Sequence, residues 1–558
     1  MELVLEGAQV RAFRNPLEII TTACTGDVDA ALQRVDRALD AGHYVAGFLS
    51  YELGMALLPR LPEPPTSEAP LLMLGVYDHP VEPPNEKCAN YEVTPLVGGI
   101  PRRRYGDDIA ALLHAIREGD LYQANYSVPF SFGFSGDPWG LFQALCARCA
   151  AGHAAFVRWG GRALLSCSPE LFLSLDGSHV KAKPMKGTTT LEAIDDLRSA
   201  KNRAEHVMIV DLLRNDLHRI CSDVRVERLF EIERHPTFAT MTSTIIGTLR
   251  RGVRMRELLG ATFPCGSVTG APKIAAMQHI ARLERRPRGP YTGSIGYLAP
   301  DRSGSWNVAI RTAHLDLARG TGVLEIGGGI VADSTSEAEW AEVLIKRRFF
   351  AELAPRVEIL ETLRREADGG YRALEAHLRR MERSADVLAY PFDRAAAQRA
   401  LHAVPASNEA VLVRFALGAS GDLTITTRSL RTPPEPVTIA IAPQRLSTGD
   451  PLLMHKTSWR PRHDAASRWA AERAVFEALL CNERGEIADG ARTSVFARIH
   501  GRLLTPALES GALPGTLRAG LLAEGLVATA VLTPNDLVSA SELYVGNSAR
   551  GLVRAQLR

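Results

Sequence analysis

The 558-residue chain has no apolar run of eighteen residues, so its sequence predicts no membrane-spanning helix. It also has no dominant charge: 65 basic residues stand against 63 acidic ones, a formal net charge of +2. That leaves no electrostatic case for nucleic acid or an anionic membrane as a partner. Eight cysteines are too few for a disulfide framework at this length. Low-complexity tracts and short repeats are missing, and Met1-Glu-Leu-Val-Leu-Glu6 lacks the apolar core of a secretory signal. The expected compartment is cytoplasmic.

What is present is a globular composition, 46% hydrophobic and 23% charged, long enough for several domain-sized units. Pro101-Arg102-Arg103-Arg104 and Arg285-Arg286-Pro287-Arg288 are short and lack interleaved aromatics, so they read as solvated loops. Cys146-Ala-Arg-Cys149, with His153 nearby, lies in a helical pattern without a second pair and reads as free helical thiols. Apolar spacing predicts helices over 27–41, 105–119 and 141–151, and one long helix over 191–221. Strand-like runs include 44–51, 128–134, 163–167, 171–175 and 240–249. The chain divides at Ala354-Pro355 into residues 1–355 (a lobe over 1–90, a core over 100–355) and 356–558. No long linker separates them, so the two bodies are expected to share an interface.

Four features of the first body suggest chemistry. Lys186, in Pro184-Met-Lys-Gly-Thr188, could act as a nucleophile if desolvation lowers its pKa. Glu339, Glu342 and Lys346 share a helix face, and Glu205 lies on another helix; two such glutamates suit Mg2+, which takes few carboxylates plus water and an anionic substrate. Gly327-Gly328-Gly329 follows a strand and would allow close backbone approach to an anion, although such triplets are commonly turns. Arg311 could fork onto a carboxylate.

Residues 105–350 resemble the chorismate-utilising enzymes, in particular their aminodeoxychorismate-forming branch. The matching runs are Glu118-Gly-Asp-Leu-Tyr-Gln-Ala-Asn125, Ser168-Pro-Glu-Leu-Phe-Leu173, Pro184 to Thr188, Glu205-His-Val-Met-Ile-Val-Asp-Leu-Leu-Arg-Asn-Asp216, Phe263-Pro-Cys-Gly-Ser-Val-Thr-Gly-Ala-Pro-Lys273, Tyr291-Thr-Gly-Ser-Ile-Gly-Tyr297, Asn307-Val-Ala-Ile-Arg-Thr312 and Gly327 to Ser334. The resemblance implies an α+β fold with a two-sheet β-sandwich core flanked by helices. It implies Glu205 and Glu342 as Mg2+ ligands. Arg311, Tyr291, Lys346, Gly328 and Gly329 would contact the two carboxylates of chorismate, and Gly187, Thr188 and Ser267 would line the pocket. Glu170 would be the acid that protonates the departing 4-hydroxyl. Lys186 stands where anthranilate- and isochorismate-forming relatives typically have alanine, and would attack ring C2 before ammonia adds at C4. Thr240 replaces a histidine of several relatives, which fits retention of the enolpyruvyl group. Cys265 and Gln278 replace the usual alanine and glutamate.

In the second body Lys456, a downstream acid and a Gly-Thr turn at a helix start suit a pyridoxal phosphate site. Leu360-Glu-Thr-Leu-Arg364, His377-Leu-Arg-Arg-Met-Glu-Arg-Ser-Ala385, Met454 to Arg460, Ile487 to Phe496, Leu513 to Arg518 and Val545 to Leu552 resemble fold-type IV pyridoxal phosphate enzymes of the aminodeoxychorismate lyase kind. The resemblance implies a second α+β domain in which Lys456 bonds the cofactor and later moves a proton. Arg380 and Thr516 would hold its phosphate, and Asp489 its ring nitrogen. Asp489 replaces the family's glutamate, His463 a tyrosine and Ser494 an asparagine.

The combined expectation is an enzyme that makes 4-amino-4-deoxychorismate and then 4-aminobenzoate, feeding folate synthesis. No Gly-x-Cys-x-Gly nucleophile elbow is present, so ammonia is expected from a separate glutaminase subunit. The rival readings are a non-catalytic second body, an amino-acid aminotransferase there, or an anthranilate- or isochorismate-forming first body.

Overall fold

A computed structural model describes residues 1–7, 10–84, 90–149, 151–189, 191–234 and 239–558. Two ten-stranded sheets form the first body. One runs from Gly270–Ala271 through Gln123–Gly136, Thr321–Ile330, Thr312–Asp316, Arg162–Ser168 and His153–Trp159 to Glu2–Glu6 and Arg11–Phe13. The other runs from Met185–Thr189 through Ala239–Leu249, His179–Lys183, Leu171–Asp176, Gly304–Asn307, Ser294–Leu298 and Tyr44–Leu49 to Leu72–Tyr77 and Glu18–Thr22. Leu3, Phe13 and Val157 of one sheet meet Phe48, Tyr77 and Ile295 of the other in a shared core. Helices cover both outer faces: Arg102–Arg117 and Pro138–Cys149 on the first sheet, Val28–Asp40 and Ala200–His218 on the second. The first 80 residues therefore contribute strands to both sheets rather than standing apart as a lobe.

Three readings change. The expected helix over 191–221 is a 3-10 segment at Leu191–Arg198, the helix Ala200–His218 and a strand, Cys221–Arg234. Ser199 caps the helix, accepting from Asn202 N. Only one residue of that strand is buried, so it lacks the alternation that would have marked it. Arg286 and Arg288 are not solvated: Arg288 is buried against Glu284 at 2.6 Å and donates to Asn125 O, while Arg286 pairs with Glu325 at 2.7 Å. This ion network braces the strand Gln123–Gly136 from behind. Residues 102–104 are likewise not loop but the first turn of Arg102–Arg117, with Arg102 over Trp340.

The second body packs Leu374–Leu388 on a three-stranded antiparallel sheet, Ile359–Arg365, Val411–Leu417 and Leu423–Ser429. An eight-stranded sheet follows, centred on Gly551–Leu557 and Glu542–Asn547. The bodies are in contact. Val97 sits in the apolar cluster of the second, and Arg102 N donates to the Asp386 carboxylate at 3.2 Å. No described helix is long and apolar enough to cross a membrane.

Candidate active sites

Lys186 lies on the terminal strand Met185–Thr189, opposite Met241. The register slips between Lys186 and Thr188, leaving Gly187 as an extra residue at φ +70. That bulge needs a left-handed residue, which glycine supplies without strain, and it re-aims the strand. The Thr188 side chain lies outside the described residues. Burial pulls the Lys186 ammonium below the ordinary lysine range; Glu205 opposes this, Lys346 adds to it, and Glu342 and Glu170 oppose it. The structure thus brings together five residues from four separate segments.

Glu170 sits between Arg162–Ser168 and Leu171–Asp176, its N–H donating to Ser168 Oγ and its carbonyl accepting from Val308 N. The side chain is only 3% exposed, and Oε1 has no partner among the described residues. Burial pushes its pKa up to about 7, against the lowering pull of a Ser267 hydrogen bond and of Lys186. A carboxyl poised there can give a proton at neutral pH.

The three glycines are not a turn. Gly327, Gly328 and Gly329 are extended residues of Thr321–Ile330, in register with Ser127, Tyr126 and Asn125. A Cβ on Gly329 would lie 3.0 Å from Lys186 Nζ and 2.9 Å from Gln123 Nε2. One on Gly327 would lie 2.9 Å from the Tyr291 hydroxyl, and one on Gly328 3.4 Å from Glu339 Oε2 and 3.7 Å from Glu342 Oε1. The missing side chains make the wall on which these groups converge. Lys346 Nζ donates to Gly327 O at 2.8 Å and pairs with Glu342 at 2.6 Å.

Among the described residues no three acidic, His or Cys side chains form a ready metal cage. Mg2+ needs less, a pair of carboxylates completed by water and substrate. Glu205 and Glu342 both act on Lys186 and on Glu339, so the two carboxylates share one acidic space. Glu339 belongs to the same acidic space: burial, then Glu342 and Glu205, push its carboxyl up, while Ser334 Oγ donates to it at 2.6 Å. Glu339 had been noted only as a face-sharing residue.

Other groups were missed. Gln123 is fully buried, yet neither its Nε2 nor its Oε1 has a partner among the described residues, and Asn125 Oδ1 is in the same position. Both lie inside the motif Glu118 to Asn125, which was the available signal. His206 is buried against Ser243 Oγ at 2.7 Å, and burial and Lys186 bring its pKa down to about 4. Arg311 stands at φ +50 with its carbonyl accepting from Cys167 N, and its guanidinium helps lower the Cys149 thiol. The Cys146-x-x-Cys149 helix faces a third thiol, with Cys146 and Cys167 sulfurs 3.6 Å apart.

In the second body Lys456 follows the 3-10 turn Pro451–Met454, and its Nζ donates to Thr362 Oγ1 at 3.1 Å. Burial, then Arg380, bring its pKa down to about 7, with Arg460 and Arg414 assisting and Glu361 opposing. Lys456, Arg380, Asp489, Ser494 and Thr516 line one cleft of about 260 Å³. Asp489 is buried, its Oδ2 accepting from Leu513 N at 3.2 Å, and burial pushes it up to about 7. Glu361, noted in the sequence only within a motif, holds Arg380 at 2.5 Å and His377 at 2.6 Å, and those partners outweigh burial to keep its pKa down to about 2. His463 is neutral, brought down to about 3 by burial. A half-buried lysine, a facing acid and a basic rim fit a phosphorylated pyridine aldehyde.

Two lysine-centred clefts on two unlike folds define a chain of two enzyme-type domains. Residues 82–352 match the chorismate binding enzyme family and residues 358–557 the amino-transferase class IV family. The chain carries a chorismate-binding domain followed by a class IV amino-transferase domain. It is 39% identical over 258 residues to aminodeoxychorismate synthase component 1 of Escherichia coli (strain K12), covering 44% of this chain and 56% of that protein. It is 34% identical over 256 residues to anthranilate synthase component 1 of Saccharolobus solfataricus, covering 44% of this chain and 60% of that one. The chain thus spans little more than half the length of these relatives. Anthranilate synthase component I from Streptococcus pneumoniae TIGR4 superposes with a TM-score of 0.53 at 25% identity, covering 62% of this chain and 92% of that one.

Proposed function

We propose that the chain converts chorismate to 4-aminobenzoate in two steps, with ammonia from a glutaminase partner. The observation that carries this reading is Lys186 held among Glu170, Glu205 and Glu342. Glu205 and Glu342 would hold Mg2+, which would neutralise the ring carboxylate of chorismate. Tyr291, Lys346, Arg311 and the backbone of Gly328 and Gly329 receive the carboxylates; Gly187, Thr188 and Ser267 line the pocket. Lys186 Nζ adds to ring C2 as the C4–O bond breaks, and Glu170 gives its proton to the departing hydroxyl. Ammonia then adds at C4, the C2–N bond breaks and Lys186 is released.

In the second domain, Arg380 and Thr516 would hold the phosphate of pyridoxal phosphate, Asp489 its ring nitrogen and Lys456 its carbonyl carbon. The bound cofactor would supply an electron sink. Lys456 takes the proton from C4 of the aminated ring. The bond from ring C3 to the enolpyruvyl oxygen breaks, its electrons leave with enolpyruvate as the C4–H pair closes the aromatic ring, and the enolpyruvate takes up a proton to become pyruvate. A Lys456 pKa near 7 suits a base that must be free of its proton at neutral pH. Incubation with chorismate, Mg2+, ammonium and the cofactor, with products identified by mass, tests both steps. Anthranilate as the main product would overturn the first; aminodeoxychorismate that accumulates beside cofactor-loaded protein would overturn the second.

A further inference from the structure

The first domain does more than lie beside the second. The loop that delivers Lys456 rests on it: Ser447 Oγ donates to Arg319 O at 3.1 Å, and a Cβ on Gly449 would lie 2.5 Å from the Thr321 methyl. Beneath that loop is a cavity of about 350 Å³ lined from both sides. Glu92, Thr94, Gly133, Ser135 and Gly320 form the first domain's wall. Arg445, Trp459, Arg460, Arg462 and His463 are on the second domain's side, and so is Lys456.

Lys456, Arg460 and Leu513 line both this cavity and the cofactor cleft, so the two spaces adjoin across the lysine. The cofactor cleft, at about 260 Å³, is the smaller of the two spaces. A molecule acted on by Lys456 needs adjacent space, and 350 Å³ lies in the usual range for small-molecule sites, about 300–1,000 Å³. Two of the cavity's acids are already engaged: Asp450 accepts from Leu452 N, and Glu483 from Thr448. Arg445 and Arg460 each spend one N–H on a carbonyl, Ala442 O and Ala491 O, and with Arg462 their remaining donors leave the space suited to a carboxylated ring.

We infer that this interdomain cavity is the substrate site of the second domain, built in part by the first, and that it takes a carboxylated cyclohexadiene or benzene ring. The inference rests on the two-step reading above. It also has a spatial consequence. The Gly329↔Asn125 pair marks the Lys186 pocket, and the Thr321↔Gly133 pair marks the cavity wall. Eight residues of strand separate them, roughly 26 Å at about 3.3 Å each. The product of the first site must leave it and travel to the second.

Ser135 is exposed on the first domain's wall and belongs to neither catalytic group. Ser135→Trp should cut kcat/KM for pyruvate release from aminodeoxychorismate at least tenfold. It should weaken 4-aminobenzoate binding to cofactor-free protein at least tenfold by titration calorimetry, while amination of chorismate and the visible cofactor band stay as in wild type. Should the band be lost, Glu92→Trp, paired with Ser135 on the same wall, decides by the same readings. Unchanged affinity and unchanged pyruvate release in the deciding variant would overturn the inference. If wild type releases no pyruvate at all, the two-step reading fails instead, and the calorimetric comparison alone judges the cavity.

Discussion

Lys186 and Lys456 are both desolvated lysines with lowered pKa values, but their neighbours differ in sign. Lys186 lies among the carboxylates of Glu205, Glu342 and Glu170, with Lys346 opposing them. Lys456 lies among Arg380, Arg460 and Arg414, with Glu361 opposing them and Asp489 in the same cleft. Burial is the common cause; the surrounding charge then decides what each site receives. A carboxylate-rich pocket admits an anionic substrate once a divalent cation has joined it. An arginine-rich cleft admits a phosphate directly and lowers its lysine's affinity for a proton.

The sharpest break of this comparison is to remove each lysine. Lys186→Ala should lower amination by on the order of 10³-fold or more and leave pyruvate release from added aminodeoxychorismate intact. Lys456→Ala should do the reverse and erase the visible band of the lysine-bound cofactor; a variant that damages both reactions would show that the sites are not independent. Next in size, Glu170→Gln should lower amination about 10²–10⁴-fold. Wild-type amination should decline as pH rises through about 7, where Glu170 loses its proton, and the residual rate of the variant should not follow that decline. The sign for stability is the same. The folded pKa lies above the ordinary 4.5, so the folded state binds the proton more tightly and stability falls as pH rises from 4.5 to about 7, by on the order of 3 kcal/mol. Denaturation of Glu170→Gln should lack that component.

Smaller effects sharpen the contrast. Asp489→Asn should lower pyruvate release roughly 10- to 100-fold through loss of a charged hydrogen bond, with amination untouched. Gly329→Ala should raise the KM for chorismate roughly tenfold while the protein still folds, because the added methyl meets the ends of Lys186 and Gln123 and not backbone. An unchanged KM would remove the glycines from the substrate wall.

Much of the first pocket was legible because its residues fall in compact motifs whose chemistry is local: a lysine before a Gly-Thr pair, an acid after Ser-Pro, a Glu–Lys helix face. The long helix over 191–221 is broken at Ala193, whose backbone leaves the helical region within the 3-10 segment Leu191–Arg198, a break that the apolar spacing does not show. The strand Cys221–Arg234 that follows was missed because only one residue in it is buried and it shows little alternation. Arg288 was misread as solvated because, although Glu284 is a sequence neighbour, Asn125 O and the core that buries the pair are brought to it only by folding. Gln123 was visible as a letter in a motif, but its two unpartnered polar atoms depend on what surrounds them in the core.

The sequence by itself determined the list of chemical groups and the order of the two domains, since motif identity and periodicity are properties of neighbouring residues. The tertiary structure decided the protonation of Glu170 and Lys456, because desolvation depends on every element packed around a group. It also decided that Gly327 to Gly329 form a wall and not a turn, because strand register is set by pairing with residues 125–127. Only the packing of one domain on the other could place Ser135 and Lys456 on the same cavity.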